Sequence, residues 1–178
     1  HETAQASLSA ELAKLENLKV GNGAALVTKP NTGEVLAMIG SKDYFDATAD
    51  GKVNVTIKER QPGSSFKPIN LAIAFEQRKA TPATMLLDVP TCFQTTGSRG
   101  YCPRNYDSSF RGPVQQRFAL GNSYNIPAVK IAAMNGIESI IGYASAMGIS
   151  TFRSPDQYGI SIGLGAAQFK MIDMSVAF

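Results

Sequence analysis

The chain has 178 residues, of which 44% are hydrophobic and 17% charged, a balance that excludes disorder and low complexity and gives enough length to bury a core. The net charge is +3 and the 17 basic residues are scattered among acids, so nucleic-acid binding has no footprint; no apolar run approaches the roughly 18 residues that span a bilayer. His1 is the single histidine, so a Ser-His-Asp triad, a Cys-His pair or a histidine zinc site would all rest on one terminal residue, and neither a metal nor a cofactor is expected. With His1 in place of an initiating Met, and no signal peptide, the chain reads as a processed or excised piece.

In chain order, Leu8, Leu12, Leu15 and Leu18 form one apolar stripe and predict an amphipathic helix over 3–19. Two apolar runs in 23–41 flank the turn cluster Pro30-Asn31-Thr32-Gly33 and predict a β-hairpin buried on both faces. Residues 42–60 are polar and irregular, a loop; the Asn54-Val55-Thr56 sequon within it carries little meaning. A helix is expected over 65–77 and a shorter one over 82–87, followed by a long loop over 90–112 with Pro90, Gly97, Gly100, Pro103 and Gly112. Helical patterns follow at 113–121, 127–135, 136–147 and 167–178. With only two convincing strands the sheet looks unfinished, and the expectation is that the C-terminal part of the domain lies outside these residues.

Cys92 and Cys102 bracket a polar loop and are read either as free thiols or as a disulfide formed in an oxidising compartment. Gly163-Leu164-Gly165 lacks the third glycine of a dinucleotide turn, and Tyr101, Tyr106 and Phe110 are either loop anchors or groove-lining aromatics.

Two short patterns carry chemistry. Ser64-Ser65-Phe66-Lys67 is an SxxK tetrad; 15 serines and ten lysines give roughly 0.8 such tetrads by chance, so its setting matters more than its occurrence. Pro62-Gly63 makes a turn before it and Pro68 is tolerated only in a first helical turn, so the tetrad occupies a helix N-terminus. There the i, i+3 spacing puts Ser64 and Lys67 on one face, the free amides favour developing negative charge, and burial can strip the lysine of its proton. The bland alternative is a capped helix with an exposed lysine. Ser123-Tyr124-Asn125 is an SxN pattern before Pro127, its side chains either projecting together into a cleft or capping the next helix.

The stretches KPNTGEVLAMIGS, RQPGSSFKP, YCPRNYDSSFRGPVQQRFALGNSYNIPAVKI and IGLGAAQFKMIDMSVAF, in that order, resemble the transpeptidase domain of bifunctional (class A) penicillin-binding proteins. The resemblance implies an α+β penicillin-binding-protein/β-lactamase-like fold, a helical layer over an antiparallel sheet, incomplete in this chain. Residues 1–22 would lead into the domain and 23–178 would form its N-terminal and helical part. It also implies a D,D-transpeptidase of the periplasm, anchored to the inner membrane by a segment absent here. Ser64 would attack the D-Ala-D-Ala carbonyl of a peptidoglycan stem peptide, Lys67 would take its proton, Ser123 would relay a proton to the leaving D-alanine, and Asn125 would bind the peptide amide. β-Lactam antibiotics would acylate the same serine. No Lys-Thr-Gly or Lys-Ser-Gly triplet occurs in the sequence, so a second chain carrying the rest of the domain is expected as a partner. A D,D-carboxypeptidase, a β-lactamase-like hydrolase and a non-catalytic penicillin sensor or scaffold are the alternatives.

Overall fold

The computed structural model describes residues 1–94 and 100–178; Gly97 of the expected loop lies outside them. The described chain divides into two compact units: His1–Arg60 with Met147–Thr151 and Gln168–Phe178, and Gln61–Ala146 with Phe152–Ala167. Among the described residues, helices and two small antiparallel sheets make the fold α+β. Among the described residues no helix is long and apolar enough to cross a membrane.

In the first unit, α1 (Glu2–Lys14) precedes the hairpin of β1 (Ala25–Thr28) and β2 (Val35–Ile39), whose register pairs Ala25 with Ile39 and shifts between Val27 and Thr28. Burial in this hairpin is confined to Ala37 and Ile39 on one face; Val27 and Val35 on that same face, and Leu36 on the other, are exposed, which corrects the expected two-sided burial. The apolar runs there were continuous, but only alternate side chains share a face of a strand. The leucine stripe also ends early. Leu8 and Leu12 lie against Gly23, α1 stops at Lys14, and Leu18 is 71% exposed in a separate 3-10 turn, Glu16–Leu18. Lys19, in the left-handed region at φ 58°, ends that turn and sends the chain away from the helical direction. Residues 42–60 form turns, as expected, and Asn54 spends its side-chain oxygen on the amide and hydroxyl of Thr56. The last helix, α6 (Met171–Ala177), is shorter than the pattern over 167–178; it packs on β1, and its Asp173 accepts hydrogen bonds from the Ser150 amide and hydroxyl at 2.9 and 2.7 Å.

The second unit is organised around α4 (Asn125–Asn135), which packs against α2 (Lys67–Glu76), α3 (Gln116–Gly121), α5 (Ile137–Ala146), β3 (Met85–Asp88) and a 3-10 turn at Ile160–Leu164. Ile126, Val129 and Ile131 of α4 and Phe66 and Ile73 of the segment before and within α2 are fully buried. Two expectations fail here. The stretch expected as a helix over 82–87 is instead strand β3, paired with β4 (Gly112–Gln115) so that Leu86 faces Val114 and Leu87 faces Pro113; the pattern over 113–121 accordingly begins as strand and turns helical only at Gln116. Neither strand alternates cleanly in sequence, and Pro113 argues against a strand except on a sheet edge, which a two-stranded ribbon supplies.

Cys92 and Cys102 form a disulfide, and Phe93 and Tyr101 bridge just inside it. Gly163-Leu164-Gly165 belongs to tight backbone packing. A Cβ on Gly163 would sit 2.4 Å from that of Ala132 on α4, and one on Gly165 only 2.1 Å from the Gly63 carbonyl oxygen.

Candidate active site

Ser64 and Lys67 stand at the junction that the prolines demand. Gly63–Phe66 forms a 3-10 turn, α2 begins at Lys67 with Pro68 in its first turn, and the Lys67 amide donates to the Ser64 carbonyl. Ser64 faces solvent, whereas Lys67 is 3% exposed. Placing the lysine at the first position of a helix whose next turns carry Ile69, Asn70, Leu71 and Ile73 draws it down with them into the interior.

Ser123 and Asn125 come from the turn between α3 and α4. Ser123 adopts φ 56°, Tyr124 is extended, and Asn125 opens the helix, two residues ahead of the expected start at Pro127. The capping alternative does not occur: Tyr124 is the N-cap residue, with no side-chain cap bond. Both polar side chains turn instead to Lys67. Its Nζ lies 2.6 Å from the Ser123 carbonyl oxygen, 2.9 Å from Ser123 Oγ and 2.7 Å from Asn125 Oδ1.

Among the described residues no carboxylate forms an ion pair with Lys67. Burial without a counter-charge penalises the ammonium form and pushes the Lys67 pKa down from 10.5 to about 8. The three neighbours accommodate either charge state. An ammonium donates to all three oxygens; a neutral amine donates to the Ser123 carbonyl and to Asn125 Oδ1, which only accept, and receives the Ser123 hydroxyl proton on its lone pair. Only the Ser123 hydroxyl reverses its role when the lysine titrates.

Ser64, Ser123 and Asn125 line one open cleft of about 520 Å³ together with Tyr106, Arg111 and Tyr124. Lys67 lies beneath it, beside a void of about 10 Å³ lined also by Asn70, Gln116 and Tyr124. Sequence spacing predicts direct reach between Ser64 and Lys67, yet no hydrogen bond joins their side chains; the lysine amine is turned to Ser123 and Asn125 instead. All four candidate residues are thus gathered at one place, with the contact order Lys67–Ser123 rather than Lys67–Ser64.

Sequence reasoning missed the residues that hold this arrangement. The Asn125 side-chain amide donates to the Arg104 carbonyl at 2.7 Å, and its backbone N–H donates to Asn105 Oδ1 at 2.7 Å. The Arg111 guanidinium lies 5.5 Å from the centre of the Tyr124 ring and pairs with Asp107 at 2.5 Å. The Ser109 hydroxyl and amide, followed by Arg111, hold the Asp107 carboxyl well below its ordinary range. Tyr106 lines the cleft fully exposed, while Tyr101 is half-buried in its bridge to Phe93. The stretch YCPRNYDSSFR supplies most of these groups, and its density of Asn, Asp, Ser and Arg between prolines and glycines was the available signal.

Comparison with known proteins returns relatives of one family. The family model described as "Penicillin binding protein transpeptidase domain" matches residues 23–167. Penicillin-binding protein 1C of Escherichia coli (strain K12) is 31% identical over 159 residues, 87% of this chain and 20% of that protein. Penicillin-binding protein 1F of Bacillus subtilis (strain 168) is 37% identical over 147 residues, 82% of this chain and 19% of that protein. The chain therefore spans about a fifth of the length of these curated relatives. Among solved structures, penicillin-binding protein 1A from Haemophilus influenzae superposes with a TM-score of 0.73 at 29% identity, covering 85% of this chain and 22% of that one. The TP domain of Burkholderia pseudomallei penicillin-binding protein 3 shares the fold, with a TM-score of 0.75 at 20% identity over 98% of this chain and 54% of that one. The match over 23–167 takes in the SxxK turn, the SxN turn and the cleft they share, and the chain belongs to the penicillin-binding protein transpeptidase domain family.

Proposed function

We propose that this chain provides the nucleophile side of a peptidoglycan D,D-transpeptidase. Ser64 Oγ attacks the carbonyl carbon of the D-Ala-D-Ala amide; its proton passes through Ser123 to the Lys67 amine, and the tetrahedral adduct expels D-alanine, whose nitrogen takes that proton back along the same path. The acyl-serine ester is then opened by the amine of a second stem peptide, forming the cross-link and returning the proton to Ser64. Asn125 keeps one Nδ2 hydrogen on the Arg104 carbonyl; the other is left for the bound peptide. A β-lactam acylates Ser64 in the same way, and its ring-opened product stays attached.

The observation that carries this reading is an amine held near a pKa of 8 by burial, 2.9 Å from a hydroxyl that shares a cleft with an exposed serine. The Cys92–Cys102 disulfide fits work in an oxidising compartment, outside the cytoplasmic membrane. In this reading residues 1–22 lead into the domain, 23–178 form part of it, and a strand carrying Lys-Thr-Gly comes from polypeptide beyond these residues, as does the membrane anchor. The test is labelling with a fluorescent penicillin, on this chain alone and on protein that also contains such a strand, with Ser64→Ala as control. Label on Ser64 that disappears in Ser64→Ala is expected. No label on either preparation refutes the proposal.

A further inference from the structure

Asp88 ends β3 and is 0% exposed, yet it forms no ion pair among the described residues. A buried carboxyl group without a cation is retained only where donors satisfy both of its oxygens. Here Asn105 Nδ2 approaches Oδ1 at 3.0 Å and Oδ2 at 2.8 Å, and the Arg111 amide donates to Oδ2 at 3.0 Å. The remaining Nδ2 hydrogen of Asn105 goes to the Ser109 carbonyl at 2.9 Å.

These contacts settle which way the Asn105 amide points. Rotating it by half a turn would set its oxygen against the Asp88 carboxyl and the Ser109 carbonyl, and its NH2 against a backbone N–H. Asn105 Oδ1 is thereby fixed toward the Asn125 amide at 2.7 Å. That bond supplies what α4 lacks at its start: its first N–H, which no N-cap side chain satisfies, is taken by a side chain 20 residues upstream. Arg104, the neighbour of Asn105, holds the Asn125 side chain from its other end, so that Asn125 Oδ1 faces Lys67.

We propose that Asn105, locked by the buried Asp88, is a positioning residue of the Lys67 site, keeping the Asn125 carbonyl turned onto the lysine amine. The inference rests on the transpeptidase reading for its effect on acylation, but not for its effect on Lys67 itself. Asp88→Asn also removes a carboxyl group, and any direct charge effect of that change on Lys67 is the same whether or not Asn105 stands between them. The part of the Lys67 shift that disappears once Asn105 is removed therefore travels through Asn105 and Asn125.

The experiment uses the whole chain, joined where needed to the Lys-Thr-Gly strand, as Asp88→Asn, Asn105→Ala and the two together. Asp88→Asn sets two amide groups face to face and unlocks Asn105; in the Asn105→Ala background that link is gone, so whatever Asp88→Asn still does there is the direct effect of the lost carboxyl group. Fluorescent penicillin gives the acylation rate at saturation and the half-saturating concentration, each corrected for folded fraction by circular dichroism. Side-chain 15N NMR gives the Lys67 titration. Asn105→Ala is expected to lose at least about tenfold in saturating rate with half-saturation within about threefold, and Asp88→Asn to add little to that loss in the Asn105→Ala background. The Lys67 midpoint is expected to fall by about half a pH unit more when Asp88→Asn is made in the unchanged chain than when it is made in the Asn105→Ala background. If Asn105→Ala does not fold, Asn105→Ser takes its place in the cycle and is judged by the same outcomes. A loss no larger than the loss of folded fraction, or an equal Lys67 shift from Asp88→Asn in both backgrounds, overturns the inference. An unchanged chain that takes no label at all strikes the transpeptidase reading, and the NMR titration then judges the positioning inference by itself.

Discussion

Lys67→Met tests the buried amine through stability, with no reference to activity. In the folded chain the Lys67 pKa is pushed down to about 8, while in the unfolded chain it returns to 10.5. Below pH 8 both states carry the proton, and the folded state bears the full cost of a buried ammonium. Between about 8 and 10.5 the folded state has released its proton and the unfolded state has not, so stability rises with pH; above 10.5 both are neutral and the gain is complete. The unchanged chain should therefore gain about 2–3 kcal/mol between pH 7 and pH 10 relative to Lys67→Met, which fills the same space and does not titrate. Urea unfolding of both proteins across that range measures the difference, and the other lysines and tyrosines cancel in it. A difference flat to within about 0.5 kcal/mol would show that the amine is not desolvated, and the case for Lys67 as a base would go with it. The same pKa sets the rate profile: acylation should rise through pH 8, with about a tenth of the amine neutral at pH 7, about 300 times the fraction of an unperturbed lysine.

Two further outcomes follow from the geometry. Ser123→Ala leaves Lys67 its two pure acceptors but removes the hydroxyl beside its lone pair, so acylation should slow by about 100-fold with the thermal midpoint little changed; a parental rate would take Ser123 out of the proton path. Gly165→Ala forces a Cβ to within 2.1 Å of the Gly63 carbonyl at φ 74°, and should destabilise by at least about 2 kcal/mol in thermal unfolding; an unchanged midpoint would show that Gly163–Gly165 does not brace the turn before Ser64.

What the sequence made legible was local. Pro62-Gly63 and Pro68 dictate where the helix can begin, so the place of Ser64 and Lys67 at its start could be read from a few neighbouring residues. The pairing of β3 with β4 could not. Met85–Asp88 has no alternation to mark it as a strand, and its partner, Gly112–Gln115, is distant in the sequence and contains a proline; only the tertiary pairing makes it one. With β3 read as a helix, Asp88 had no reason to attract notice, and its bond to Asn105 joins residues 17 positions apart in the sequence. The leucine stripe failed for another reason. Periodicity continues through Leu15 and Leu18, but α1 stops at Lys14, the chain tightens into the 3-10 turn that a left-handed Lys19 closes, and Gly23 comes to lie against Leu8 and Leu12.

The left-handed backbone at Ser123 explains why a serine followed two residues later by an asparagine serves a lysine. Had Ser123 continued α3, its carbonyl would point along the helix axis, away from its own side chain. At φ 56° both the carbonyl and the hydroxyl of one residue reach the same nitrogen, at 2.6 and 2.9 Å. That conformation costs about 1 kcal/mol for a residue with a Cβ, and Ser123 bears it in a turn closed by its amide on the Leu120 carbonyl at 2.9 Å. Asn125, extended by Tyr124 into the first position of α4, supplies the third oxygen. A rigid carbonyl pair and one reorientable hydroxyl around a buried amine make a site in which a proton can be gained or lost without moving a heavy atom. Ser123→Gly keeps the backbone carbonyl and relaxes the turn while deleting the hydroxyl, so stability and acylation should move in opposite directions in that variant, a divergence that a purely structural role for the SxN turn does not allow.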